Sequence, residues 1–266
     1  MLEAVILITN SYELNSERFN TFIKQFENEQ SDLDFLIFTN KPRDIQTLEF
    51  RKRVYESTRG FRKVELICLN IPAEDDVDIK NHKRLGMQKI PALGLSSGPN
   101  ITFFSAMNYC SKYDSVLLLE VDCLLRGYLD SLQKYTECMG DFLISGGLYD
   151  GKTFSGNIQS PTHTHLSSVG IYKTSSPELQ NLLQEVEKWI PGNVDKYKRV
   201  PYDISITMFL HESINKNDGG YYRNILRKMI PTTLILNYSN EVDLELDFNS
   251  IDKLFPSHKI LYIKHA

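Results

Sequence analysis

The chain has 266 residues, of which 41% are hydrophobic and 24% charged, and a formal net charge of −4. That length holds one large α/β domain or at most two small ones. Acidic and basic residues are mixed along the chain, which argues against nucleic acid as a partner.

Ala4 to Ile8 is a continuous apolar run, the pattern of a strand buried on both faces of a parallel sheet. It ends in the small polar residues Thr9, Asn10 and Ser11. Asn15-Ser16, with Glu17 in the first turn, opens a helix whose apolar face is Phe19, Phe22, Ile23 and Phe26. Phe35 to Phe38 is a second strand, ending in Thr39-Asn40, and strand, helix and strand together make a βαβ unit. The run Arg51-Lys52-Arg53 reads as a solvated helix face. Val64 to Leu69 is a third strand, and Pro72 to Pro91 a polar, loop-rich crossing. Gly98-Pro99 starts a helix with the buried stripe Phe103, Met107 and Cys110. Val116 to Leu119 is a central strand, followed at once by Glu120, Val121 and Asp122.

A short helix is expected over Leu129 to Tyr135, and a strand over Phe142 to Ile144 that Gly146-Gly147 closes. Tyr149 to His165 is polar, aromatic and turn-rich, and reads as a functional loop. Val169 to Tyr172 is a strand. Ser176-Pro177-Glu178 starts a helix that Leu179, Leu182, Leu183, Val186 and Ile190 continue on one face. Ile204 to Leu210 is helical, Thr232 to Leu236 and Ile260 to Ile263 are late strands, and Glu241 to Asp247 alternates like an edge strand. With no repeat or linker, the expectation is one α/β domain.

Cys68, Cys110 and Cys123 lie in or beside apolar runs, and none of the four cysteines has C-x-x-C spacing, so we expect reduced thiols and no structural zinc. His163 and His165 form an H-x-H pair without an evident third zinc ligand. Met1 to Asn10 has no basic leader region, and no run reaches the length of a membrane span. The expectation is a cytoplasmic chain, with peripheral membrane association, or a host cytoplasm for a viral protein, left open. Oligomeric state is not legible.

In an open α/β sheet, ligands bind beyond the carboxyl ends of the strands. Residues i and i+2 of an extended segment point the same way, so Glu120 and Asp122 can face one ligand. Mg²⁺ and Mn²⁺ prefer carboxylate oxygen and bind one or two carboxylates plus substrate phosphates. A turn or a helix cap explains such acids equally well from the residues alone.

The segment Leu117-Leu-Leu-Glu-Val-Asp-Cys123, followed by Gly127-Tyr-Leu-Asp-Ser-Leu132, resembles the D-x-D region of GT-A glycosyltransferases, in particular bacterial and large-DNA-virus members. Gly94-Leu-Ser-Ser-Gly-Pro-Asn100 with Phe103-Phe104 is similar to the helix start before that motif. Leu166-Ser-Ser-Val-Gly-Ile-Tyr172 resembles its following strand, and Ile263-Lys-His-Ala266 the late histidine segment. The first acid here is Glu120 rather than aspartate, an E-x-D variant, and Ser167-Ser168 stands where Asn-Gly is usual.

The resemblance implies a single GT-A, Rossmann-like domain with a mixed, mostly parallel central sheet flanked by helices. Residues 1–122 would be the nucleotide-binding part and 123–266 the acceptor-binding part. It implies transfer of a sugar from a nucleotide-diphosphate sugar to a glycan or glycolipid acceptor, with Mn²⁺ or Mg²⁺. Asp122 would ligate the metal. Glu120 would contact the ribose or a metal-bound water, or join as a ligand. His265 would be a third ligand or a diphosphate contact. Thr9, Asn10, Ser11 and Thr39 would hold the nucleoside, with Asn40 able to read the base edge, and Lys83 or Arg84 would reach the diphosphate. Asp203, which opens a late helix, is the candidate base for an inverting reaction, with helix capping as its alternative and Asp150 in reserve. Two rivals stay open: a nucleotidyltransferase, against which the glycine-free Thr9-Asn10-Ser11-Tyr12 speaks, and a GT-A-like domain that binds without turnover.

Overall fold

The structure is a computed structural model that describes residues 1–41, 45, 47–78, 90–127, 129–150, 164–197, 200–216, 219–239 and 258–264, with the backbone alone at 149, 150, 164, 237–239 and 261–264. In chain order these form β1 (Leu2–Ile8), α1 (Ser11–Leu14), α2 (Glu17–Lys24), β2 (Ser31–Thr39), α3 (Leu48–Ser57), β3 (Phe61–Cys68), α4 (Ser97–Tyr109), β4 (Ser115–Leu119) and β5 (Cys123–Leu125). Then follow α5 (Asp130–Cys138), β6 (Ile144–Asp150), β7 (Thr164–Tyr172), α6 (Pro177–Trp189), α7 (Val194–Tyr197), α8 (Tyr202–Ile214), α9 (Gly219–Arg227), β8 (Met229–Pro231), β9 (Ile235–Ser239) and β10 (Ile260–Lys264).

The apolar runs become strands covered on both faces. In β1, Ala4, Ile6 and Ile8 enter one core while Val5 and Leu7 enter the other, and Val116 and Leu118 of β4 divide from Leu117 and Leu119 in the same way. This is the period-2 alternation of a pleated strand. Helices α4, α6 and α8 supply Phe103, Leu182 and Ile206 to the first core. Helices α2, α3 and α5 supply Phe22, Val54 and Leu132 to the second. Each such side chain, fully buried, stabilises the fold by about 1.5–3 kcal/mol.

The strands form a sheet in the order β3-β2-β1-β4-β7-β6-β8. All neighbours are parallel except those of β7, which runs against β4 and β6. A second sheet has the order β5-β10-β9. The result is a single α/β domain, as the sequence predicts, with the mixed, mostly parallel central sheet between helices that the resemblance implies.

Helix starts are local. The Ser16 and Ser176 hydroxyls accept from the Phe19 and Leu179 N–H groups at 3.2 and 3.4 Å, and Pro177 takes the first helical position. Such a cap contributes about 1 kcal/mol.

Two expectations need correction. Gly146-Gly147 does not close the strand, because β6 continues to Asp150. Gly146 and Gly170 face each other across β6 and β7. A Cβ on Gly146 would lie 3.1 Å from the Val169 carbonyl oxygen, and one on Gly170 2.9 Å from that of Ser145. These glycines permit a close strand approach, not a turn. Thr232 to Leu236 is also not one strand. Thr232 still donates to the Gly146 carbonyl of the large sheet, while Leu234 accepts from Lys259 and Ile260 beside β10. The run passes from one sheet to the other, with a turn between β8 and β9.

All four cysteines are free thiols, and burial pushes the Cys110 thiol up to about 12. Among the described residues no helix is long and apolar enough to cross a membrane. Residues 151–163 of the expected functional loop, and Glu241 to Asp247, lie outside the described residues. Tyr149, Asp150, Thr164 and His165 belong to β6 and β7.

Candidate active site at the carboxyl ends of β1 and β4

Leu7 of β1 pairs with Leu119 of β4. The sheet order leaves β1 toward β2 on one side and toward β4 on the other, so a crevice opens beyond these two strand ends. Thr9, Asn10 and Ser11 leave β1 and Glu120, Val121 and Asp122 leave β4, so the two segments rim the same crevice.

On the β1 side, Asn10 caps α1. Its side-chain oxygen accepts from the Tyr12 and Glu13 N–H groups at 3.0 and 3.1 Å, and Glu13 Oε2 accepts from the Asn10 N–H at 3.2 Å. This is a reciprocal capping box. Thr9 also donates its hydroxyl to Glu13 Oε2, at 3.1 Å. Burial pushes the Glu13 carboxyl up to about 7, and repulsion from Glu120 and, less, Asp122 adds to the shift. The Glu13 carboxyl thus lies close enough to Glu120 and Asp122 to feel their charge.

On the β4 side, Glu120 Oε1 accepts from the Ser168 hydroxyl at 2.6 Å and from the Tyr202 hydroxyl at 3.2 Å. Asp122 pairs with Arg18 of α2 at 3.4 Å, beside an open groove of about 290 Å³ lined in part by Thr21, Phe22 and Gln25. At the end of β2, Thr39 is fully buried and its hydroxyl has no partner among the described residues. The Asn40 amide is engaged at both ends, accepting from Ser11 at 3.1 Å and donating to Asp76 at 2.5 Å.

Asp203 is the second residue of α8, with Pro201 at the cap position. Its Oδ1 accepts from the N–H of Ile204 at 2.9 Å, and its Oδ2 lies 3.7 Å from Nε2 of His165, with both side chains buried. Asp203 is thus not the N-cap residue, although its carboxylate accepts from a first-turn N–H of α8.

The structure thus brings together Thr9, Asn10, Ser11, Glu120 and Asp122, with Thr39 and Asn40 behind the β1 segment. Arg84, Lys83, His163 and His265 lie outside the described residues. Among the described residues no group of three His, Cys, Asp or Glu side chains could hold a metal ion. Glu120 and Asp122 carry hard oxygen donors, the type that Mg²⁺ or Mn²⁺ takes together with phosphate oxygens. Glu13, Arg18 and Tyr202 escape the sequence reading. Only Glu13 leaves a signal there, the Asn10-x-x-Glu13 spacing of a capping box.

No protein-family model matches the sequence, and no curated protein matches it. Solved structures do match. Mouse xyloside xylosyltransferase 1 superposes with a TM-score of 0.55 at 12% identity, over 98% of this chain and 97% of that one. Galactosyltransferase LgtC, in complex with donor and acceptor sugar analogs, superposes at 0.52 and 11% over 98% and 86%. The glycosyltransferase GlyE of Streptococcus pneumoniae superposes at 0.53 and 12%, over 98% of this chain and 54% of GlyE. The fold is GT-A-like. At such identities the likeness concerns the GT-A-like fold alone, and the chemistry has to be argued from the crevice.

Proposed function

We propose that this chain transfers a sugar from a nucleotide-diphosphate sugar to a glycan or glycolipid acceptor, with Mn²⁺ or Mg²⁺. The observation that carries the reading is the meeting of Thr9–Ser11 and Glu120–Asp122 at one crevice of a GT-A-like fold. On this reading Thr9, Asn10 and Ser11 hold the nucleoside from residues 1–122, Arg84 reaches the diphosphate, and Thr39, fully buried, supports the segment without touching the ligand. Residues 123–266 receive the acceptor.

Asp122 holds the ion, and Glu120 contacts the ribose or a water on the ion. His265 completes the set. In support, β10 runs antiparallel to β5 with Tyr262 opposite Cys123, so its backbone heads toward Asp122. A divalent ion here supplies charge neutralisation for the departing diphosphate. Inversion follows if Asp203 takes the proton of the acceptor hydroxyl as that oxygen attacks the anomeric carbon.

The burial of Asp203 against His165 favours a second reading, retention. There Asp203 only orients His165, and the departing diphosphate takes the acceptor proton. The anomeric configuration of the product, read by NMR, separates the two.

A thermal-shift screen of nucleoside diphosphates and nucleotide sugars, with and without Mn²⁺, tests the whole reading. A ligand at 100 times its Kd stabilises the fold by about 2.7 kcal/mol. A shift that needs the metal is expected for one nucleotide. Metal-independent binding without turnover would point to a binding module, and pyrophosphate release from a sugar phosphate and a nucleoside triphosphate to a nucleotidyltransferase.

A further inference from the structure

The Ser168 and Tyr202 hydroxyls converge on one oxygen of Glu120, Oε1, from elements far apart in sequence. Ser168 belongs to β7. The β4–β7 register pairs Leu118 with Gly170, and continuing it by two residues sets Ser168 opposite Glu120. Tyr202 opens α8 and is itself held hard. Its ring stacks on Phe103 of α4 with centroids 3.9 Å apart and planes 7° apart. The backbone just before it is tied to α4 by the Asn100 amide, which donates to the Val200 carbonyl at 2.9 Å. Behind Ser168, the Tyr172 hydroxyl donates to the Ser168 carbonyl at 2.8 Å. The Tyr202 ring and the Ser168 backbone are thus held by contacts that do not involve Glu120.

We propose that Ser168 and Tyr202 are positioning residues that clamp Glu120, and that this position requires the length of glutamate. The inference rests on the reading of Glu120 as a donor-side group. Hydrogen bonds to an ionised carboxylate are the strong ones, and two donors on one oxygen, one of them on a stacked ring, restrict the rotation of the carboxylate. Aspartate is shorter by one C–C bond, about 1.5 Å. From the backbone of residue 120 it cannot keep the 3.2 Å contact to a tyrosine locked on α4. The glutamate of the E-x-D pattern is then a matched part of this site, and restoring D-x-D by Glu120→Asp harms it.

The test is a double-mutant cycle of Glu120→Asp with Tyr202→Phe, and separately with Ser168→Ala. The first readout is thermal unfolding of the ligand-free chain. Tyr202→Phe is expected to lower Tm by about 2–4 °C with Glu120 in place, and by less than about 1 °C in the Glu120→Asp background. Equal shifts in both backgrounds overturn the clamp. The second readout is binding of UDP, GDP, ADP, CDP or dTDP with Mn²⁺. Glu120→Asp and Tyr202→Phe should each weaken binding about 5–20-fold, the double variant no more than either, as expected of about 1–2 kcal/mol in one shared interaction. Undiminished binding in both single variants overturns the positioning role. Should the wild-type chain bind no diphosphate with Mn²⁺, the glycosyltransfer reading fails, and the unfolding cycle still decides the clamp.

Discussion

Asp203 and His165 meet at 3.7 Å across the junction of α8 and β7, with both side chains buried. The pair joins the proposed acceptor side to the strand that carries Ser168, one short step from Glu120. If Asp203 is the base, Asp203→Asn should lower kcat by about 10²–10⁴-fold and leave nucleotide binding intact. If Asp203 only orients His165, the same variant should lose less than about tenfold in kcat, because an amide can still accept a hydrogen bond. Steady-state kinetics with saturating donor distinguishes the two.

Asp122 is the partner of Arg18 and, on our reading, the main protein ligand of the ion. Arg18 is more than half exposed, so the pair itself contributes at most about 1 kcal/mol. Asp122→Ala should therefore leave Tm within a few degrees of wild type while abolishing Mn²⁺-dependent nucleotide binding. Isothermal titration beside a melting curve checks both, and wild-type affinity in the variant would sink the metal assignment.

Glu13 makes stability depend on pH in a direction opposite to most carboxylates. Its folded value is raised from 4.5 to about 7, chiefly by burial. The protonated form is thus favoured in the folded chain. The associated stability is fully present below pH 4.5 and is lost as pH rises through about 7. Glu13→Gln keeps an acceptor for Thr9 and for the Asn10 N–H but removes the ionisation. It should match wild type near pH 4.5 and be more stable by about 3 kcal/mol at pH 8. Urea unfolding across that pH range gives the answer, and parallel curves for the two proteins would contradict it.

The glycines of β6 and β7 are set by contact. Gly170→Ala puts a methyl group 2.9 Å from a backbone oxygen of the neighbouring strand, which cannot swing away like a side chain. A loss of about 1–3 kcal/mol is expected. Gly140→Ala, with nothing within 4 Å of the added carbon, is the control and should cost nothing or stabilise slightly. Denaturant midpoints of the two variants, measured together, test the contrast.

What the sequence determined by itself is what short-range physics controls. The apolar runs of β1 and β4 had to be buried on both faces, and Ser16 and Ser176 had to start helices because their hydroxyls satisfy N–H groups three residues away. The placement of Glu120 and Asp122 at the end of a buried strand follows from the same local pattern. The misread segments failed where a neighbour decided. Gly146 looked like a strand end because its reason, the approach of β7, lies some two dozen residues away in Gly170. The residues from Thr232 to Leu236 looked like one strand because a run of apolar side chains does not record which of two sheets will claim each half.

Tertiary structure alone decided which residues surround Glu120 in the candidate site. The order β3-β2-β1-β4-β7-β6-β8 brings the end of β1 to the end of β4, and with it Glu13 toward Glu120 and Asp122. It also carries Ser168 and Tyr202, 48 and 82 residues further along the chain, onto a single carboxylate oxygen. A hydrogen bond between such distant residues leaves no periodicity in the sequence, because its geometry is set by strand pairing and helix packing and not by neighbours along the backbone.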